Sequence, residues 1–304
     1  MKNFHNLIGF ILSLTLMTLI SGCGGGGGTT TTSSTGVLSL SMTDAPPKLG
    51  NDVTEVNIAV IGIEYNHNGS WTTADDFEPQ TFNLLDLQNG RSLHLGDMIL
   101  PAGHYTEIRF KLAAPEKQAD VKSNPDCNIT FEDGTSEPLF VPSGGQSGYK
   151  GKGQFDITAN AKIEVTADFD VQKSIVVTGN RKYLLKPVIR LVVTELSGTI
   201  NGTIVDVADY NDTTDTLVVY TYVSGEYDVS EEDEIDGINF PNAVSSSDVN
   251  MSDGNFTLSF LGEGNYSLIT AQYIGDTFSD VVDVENDIEV FNGNTTLVDV
   301  NTSD

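Results

Sequence analysis

The sequence predicts an all-β fold: two antiparallel β-sandwich domains, Ig-like or prealbumin-like, behind an apolar leader and a flexible linker. Three observations predict it. From Gly36 onward, apolar residues recur at every second position in short runs separated by Gly, Asn, Asp and Pro, the pattern of half-buried strands. Beyond the leader, no segment sustains the 3.6-residue apolar period of a helix. The pattern pauses at Glu195-Leu196-Ser197 and restarts, and the charge changes at the same place. Residues 197–304 hold 22 of the 43 Asp and Glu and no Lys or Arg, whereas all 15 Lys and Arg lie at or before Arg190.

The first element is the leader, residues 1–22. Met1-Lys2-Asn3 is a short cationic start, and Leu7 to Ile20 is apolar apart from Gly9, Ser13, Thr15 and Thr18. That run suits a secretory core and is short of the roughly 20 apolar residues that a membrane-spanning helix needs. Ser21 and Gly22 are small enough to enter a peptidase cleft, and Cys23 follows. Ile20-Ser21-Gly22-Cys23 resembles the lipobox of bacterial lipoproteins, which implies a diacylglyceryl group on the Cys23 sulfur, cleavage before Cys23 and acylation of the new amino end. Acyl chains contribute about 0.8 kcal/mol per buried CH₂, and two or more anchor stably. Gly24 stands where an Asp would favour inner-membrane retention, so the resemblance implies the outer membrane. Residues 23–35, the lipidated cysteine and its Gly/Thr/Ser run, form a tether that cannot bury enough apolar surface to fold. Its twelve residues after Cys23 reach about 40 Å when stretched.

Residues 36–196 read as the first sandwich. "GVLSLSM" alternates Leu38, Leu40 and Met42 against Ser39 and Ser41. "VNIAVIGIEY" changes phase between Val60 and Ile61, which predicts a β-bulge beside Gly62. "EIRFKL" alternates Ile108, Phe110 and Leu112, and "NITFEDGTSEPLFV" predicts a hairpin turning at Asp133-Gly134. "AKIEVTADFDV" alternates from Ile163 to Val171, and "YLLKPVIRLVV" closes the domain, with Pro187 at a strand end or edge. "DLQNGRSLHLGD" reads as one short turn.

Residues 197–304 read as a second, smaller sandwich of five strands: "GTINGTIVDV", "DTLVVYTYV", "GNFTLSFL", "NYSLITAQYI" and "TTLVDV". "FTLSFLGEGNYSLITA" predicts a hairpin around Gly262-Glu263-Gly264.

A net charge of −28 excludes nucleic acid, whose phosphates need cationic neutralisation, and leaves the lipid on Cys23 as the membrane contact. Cys127, the one free thiol once the Cys23 sulfur is acylated, cannot close an internal disulfide and reads as a buried structural thiol. His67, His94 and His104 show no zinc spacing. Ser143 and Ser147 in "PSGGQSG" lack the strand–turn–helix setting of a catalytic serine, and the acids of "DFD" (168–170) read as a solvent-facing rail. No catalytic residue and no organic cofactor is expected. Two acidic loops leave Ca²⁺ open beside plain solvation, because hard cations take oxygen ligands. One spaces Asp206, Asp209, Asp212 and Asp215 by threes. The other offers Glu232, Glu234 and Asp236 before Gly237, but Ala243 stands where an EF-hand needs its bidentate Glu. Trp71, Tyr65, Tyr149, Tyr220, Tyr222 and Tyr227 are candidates for stacking on glycans or for core packing.

"GVLSLSMTDAP" (36–46), "FNLLDLQNG" (82–90), "LPAGHYTEIRFKL" (100–112), "VPSGGQSGYK" (141–150) and "ADFDVQKSIVVTGNRKYLLKPVIRLV" (167–192) occur in this order. Together they resemble the domain of unknown function 4382 found in lipid-anchored bacterial envelope proteins. The tail, with "GTINGTIVD" and "FLGEGNYSLITA", resembles a carboxypeptidase-regulatory or transthyretin-type sandwich. The resemblance implies β-sandwiches and an envelope address, and no activity. The expectation is a non-catalytic binding or structural lipoprotein with a protein or glycan ligand. The alternatives are a calcium-dependent glycan-binding or adhesion accessory and, third, a hydrolase.

Overall fold

Alternating apolar positions make strands because each strand can then bury one face and wet the other. The computed structural model describes residues 34–45, 53–142, 148–179, 181–235, 238–275 and 277–303, and the expected runs are strands there. One sheet contains β1 (Thr35–Ala45), β2 (Val53–His67), β3 (Ser70–Thr73), β4 (Gln80–Asn83), β5 (Leu93–Pro101), β6 (Gly103–Leu112), β7 (Asn128–Phe131), β8 (Ser136–Phe140), β9 (Tyr149–Ile157), β10 (Lys162–Asp170), β11 (Ile175–Val177), β12 (Tyr183–Leu185) and β13 (Ile189–Val193). Then follow β14 (Ser197–Ile204), β15 (Asp215–Val223), β16 (Ser245–Asp248), β17 (Asn255–Gly262), β18 (Gly264–Ile274), β19 (Thr277–Val290) and β20 (Thr295–Val300). Among the described residues, α1 (Val171–Ser174) is the one α-helix, and no helix is long and apolar enough to cross a membrane.

The first sheet runs β11-β12-β8-β7-β2-β6-β9-β13-β10-β1-β5, with β3 and β4 hung on β2. Leu38 and Leu40 of β1, Ile58 of β2, Phe110 of β6 and Phe169 of β10 share one core, so the sheet wraps around it. The bulge appears as a register shift between Val60 and Gly62 of β2 where that strand pairs with β6. β7 and β8 form the expected antiparallel hairpin.

Several expectations change. The pairing is not wholly antiparallel: β1–β10, β8–β12, β9–β13 and β14–β20 are parallel. Alternation marks which face is buried and carries no information about strand direction, which long connections decide. "YLLKPVIRLVV" is two strands; Pro187 parts β12, beside β8, from β13, between β9 and β10. Val171 does not extend β10, because the Asp170 carboxylate accepts from the Lys173 amide at 2.9 Å and caps α1.

The second region is a sandwich of β17-β14-β20 on β16-β15-β18-β19. Its core joins Ile200, Leu217, Val219, Leu258, Leu268 and Val300. The other face of β15 carries Val218, Tyr220 and Tyr222, which pack with Phe240, Ala243 and Tyr227. β17 and β18 do not form the expected hairpin. β17 pairs with β14 and β18 with β15 and β19, so Gly262-Glu263-Gly264 carries the chain from one sheet to the other. Alternating runs joined by a short glycine turn fit either geometry, and the shared core selects the arch.

Candidate functional site at the junction of the two β regions

The N-terminal side of the junction is built from the ends of β1, β10 and β13, from α1 and from the turn at Asn89-Gly90. Asn89 and Gly90 adopt positive φ, 56° and 77°, which thrusts the turn toward the sandwich. The Ser247 hydroxyl donates to Asn89 Oδ1 at 3.1 Å, and Gly90 packs on Ser259 so closely that a Cβ would stand 2.6 Å from its Oγ. Thr43 Oγ1 ties the turn back to β1 by hydrogen bonding the carbonyls of Leu87 and Arg91. From α1, Gln172 hydrogen-bonds the Tyr220 hydroxyl, and the Lys173 ammonium donates to the Ala243 carbonyl at 2.7 Å.

Charge at this junction comes from the first region. Asp168 is 6% exposed and accepts from Arg190 Nη2 at 2.6 Å. Burial raises its carboxyl above the ordinary range although Arg190 pulls it down. Asp44, 3% exposed, accepts from the Val171 amide at 3.1 Å, and burial, with repulsion from Asp170 and Asp168, pushes its carboxyl well up. The expected solvent-facing rail is therefore corrected: Asp168 is buried on Arg190, and Asp170 caps α1 and pairs with Lys173 at 2.8 Å. The arrangement holds two β regions together.

The other sequence candidates fall elsewhere. Ile20, Ser21, Gly22 and Cys23, like Ser143, Ser147, Asp236 and Gly237, lie outside the described residues. Asp206 accepts from Thr302 and Ser303, and Asp215 from the Asn211 amide and Gln272, so both fasten loops. Asp209, Asp212 and Glu234 are exposed. Glu232 accepts from the Tyr227 hydroxyl at 2.6 Å, and its neighbour Glu231, 3% exposed, accepts from the Tyr222 hydroxyl and from Asn242. Among the described residues, no three acids, histidines or cysteines gather as a metal-holding group. Tyr220 and Tyr222 are buried, and the Arg109 guanidinium lies 3.6 Å over the Trp71 ring. His94 pairs with Asp97 and His104 with Asp156, each exposed and with a single carboxylate, while His67 stacks on Tyr105. Cys127 is buried, its thiol pushed up to about 11 by burial, and Sγ accepts from the Ala59 amide.

The sequence did not reveal the junction. Its signal was the turn "LQNG" and the lysine of "DVQKS", residues that look like ordinary loop chemistry until the second region is placed against them.

Among solved structures, the chain is similar to the Bacillus anthracis TIE protein (12% identity, 88% of this chain, TM-score 0.21), of whose length it spans 33%. It is also similar to the major pilin subunit of Bacillus cereus (8% identity, 88% of this chain and 70% of that one, TM-score 0.19). A third is the shaft pilin SpaA of Lactobacillus rhamnosus GG (10% identity, 88% and 97%, TM-score 0.21). Scores this low do not describe a shared overall fold. No curated protein matches the sequence. Residues 35–187, which contain β1 to β12 and the N-terminal side of the junction except β13, match the domain of unknown function DUF4382, and the chain belongs to that family.

Proposed function

We propose that the protein is exported, cleaved before Cys23 and held by acyl chains at the outer membrane, where it displays its two β regions as a non-catalytic structural or binding module. The junction carries this reading. The two carboxylates of the first region that burial raises, Asp44 and Asp168, are engaged by Val171 and Arg190 within the fold rather than presented to a substrate. Residues Ser34–Asp304 cluster as one compact unit, as a displayed body on a tether would. The glycan-binding alternative loses Tyr220 and Tyr222 to the core. The hydrolase alternative has no histidine beside two carboxylates among the described residues.

The test is membrane fractionation of the native protein and of Cys23→Ser, with mass spectrometry of the N-terminal peptide. The native chain should sediment with outer membranes and carry acyl groups on Cys23, and the variant should not. A Cys23→Ser protein that stays bound after high-salt and carbonate washing would sink the anchor.

A further inference from the structure

The second region repeats a short pattern that the junction does not use. Asn-x-Ser/Thr, the acceptor pattern for N-linked sugars, occurs seven times in residues 197–304. Five of the seven carry an acid two positions earlier: Asp209 before Asn211, Asp248 before Asn250, Asp253 before Asn255, Glu263 before Asn265 and Asp299 before Asn301. With 22 acids in those residues, chance placement would give only about one.

The structure divides the five. At Asn265 the partner hydroxyl, Ser267, is 2% exposed and donates to Asn286. At Asn255 the partner Thr257 donates to Asn201, and at Asn301 the partner Ser303 donates to Asp206. Asn211 and Asn250 differ. Both are exposed in turns outside the strands. Asn211 Oδ1 accepts from the Thr213 amide at 3.1 Å and its hydroxyl at 2.7 Å, and Asn250 Oδ1 accepts from the Ser252 amide at 3.0 Å and its hydroxyl at 2.7 Å. Each asparagine thus holds its own Ser/Thr by the amide oxygen, and Nδ2 makes none of these bonds. The two turns share one end of the sandwich: Asn211 precedes β15, Asn250 follows β16, and the Val249 amide bonds the Leu217 carbonyl near the start of β15.

We propose that Asn211 and Asn250 are N-glycosylation sites, taking an oligosaccharide from a polyprenyl-diphosphate donor through a transferase that reads the acid two residues before the asparagine. The Asn Nδ2 attacks the anomeric carbon and a C–N bond forms. The bond from that carbon to the diphosphate oxygen breaks, polyprenyl diphosphate leaves with the electron pair, and the amide gives one proton to a base of the transferase. Hydrophilic chains would then cover the end of the sandwich opposite to the one the chain enters at Ser197. The proposal rests on the export proposed above.

The protein purified from the membranes of the cell that makes it is measured by intact mass and by tandem spectra of its peptides. The expected mass exceeds that of the acylated polypeptide by whole glycan increments, and Asn211→Gln and Asn250→Gln each remove one. Asp209→Ala, which keeps the acceptor, should lose the increment at Asn211 and keep that at Asn250. The Cys23 peptide in the same digest reports acylation, so a failure of export is distinguished from a failure of glycosylation. Acylated Cys23 together with bare peptides around Asn211 and Asn250 overturns the proposal. So does sugar mapped to the Thr213 or Ser252 hydroxyl.

Discussion

The Lys173 ammonium stands 2.8 Å from the Asp170 carboxylate and 2.7 Å from the Ala243 carbonyl, so one side chain joins the cap of α1 to the sandwich. A charge-assisted hydrogen bond of this kind contributes about 1.5–3 kcal/mol. Lys173→Met keeps the stem and removes the donor. Its urea midpoint should fall accordingly, and proteolysis between Thr194 and Ser197, where the two regions join, should quicken. An unchanged midpoint would mean that the bond is exchanged for water at no loss.

Arg190 and Asp168 should behave as a buried pair. Removing one partner leaves a buried charge and destabilises by about 3–5 kcal/mol. Arg190→Met should therefore be the more damaging single change, whereas Asp168→Leu with Arg190→Met should recover much of the loss. A double-mutant cycle in chemical denaturation measures the coupling. Additive effects would show that the two groups do not interact.

Gly90 adopts φ +77° and meets Ser259 across the junction. A left-handed alanine costs about 1–2 kcal/mol by itself. Gly90→Ala should lose more than that, because its Cβ would displace Ser259 Oγ, and adding Ser259→Gly should restore only the part due to contact. Thermal melts of the three proteins separate the backbone part from the packing part.

Asp206 carries a pH dependence with a definite sign. Slight burial would raise its carboxyl, but the bonds from Ser303 and Thr302 outweigh this and hold it below 3.8. A depressed carboxylate contributes stability above the unfolded value that is lost as pH falls through the folded one. Asp206→Asn should therefore melt below the wild type near neutral pH, and the gap should narrow as the pH falls below the ordinary carboxylate range. A gap that acid leaves unchanged would assign the effect to shape rather than charge.

Cys127 should resist a thiol reagent at pH 8 in the folded protein, since its thiol is buried and pushed up to about 11, and should react on unfolding in urea. Rapid labelling of the native chain would contradict its placement beside Ala59.

Much of the fold was legible because alternation at Leu38, Leu40 and Met42, or at Ile108 and Phe110, has one cheap structural solution. Several strands were not, β5, β9 and β19 among them. β9 contains Gly151 and Gly153, whose missing side chains leave no pattern; a Cβ on Gly153 would lie 2.1 Å from the Leu191 carbonyl oxygen. β19 is not among the five runs read from the sequence, because acids at Asp280, Asp283, Glu285, Asp287 and Glu289 break its apolar pattern; it lies at the edge of a sheet. β5 begins inside "DLQNGRSLHLGD", which reads in the sequence as one short turn.

By itself the sequence determined the all-β class, the charge break near Ser197, the lipobox-like run ending at Cys23 and the acid-spaced asparagines, because each depends on residues close together in the chain. Tertiary structure alone decided the parallel pairs, the arch at Glu263, the burial of Asp168 on Arg190, the reach of Lys173 to Ala243 and the choice of Asn211 and Asn250 from five similar sequence motifs. These are contacts across tens of residues, and local patterning does not record which distant partner will fill an open face or engage a free hydroxyl.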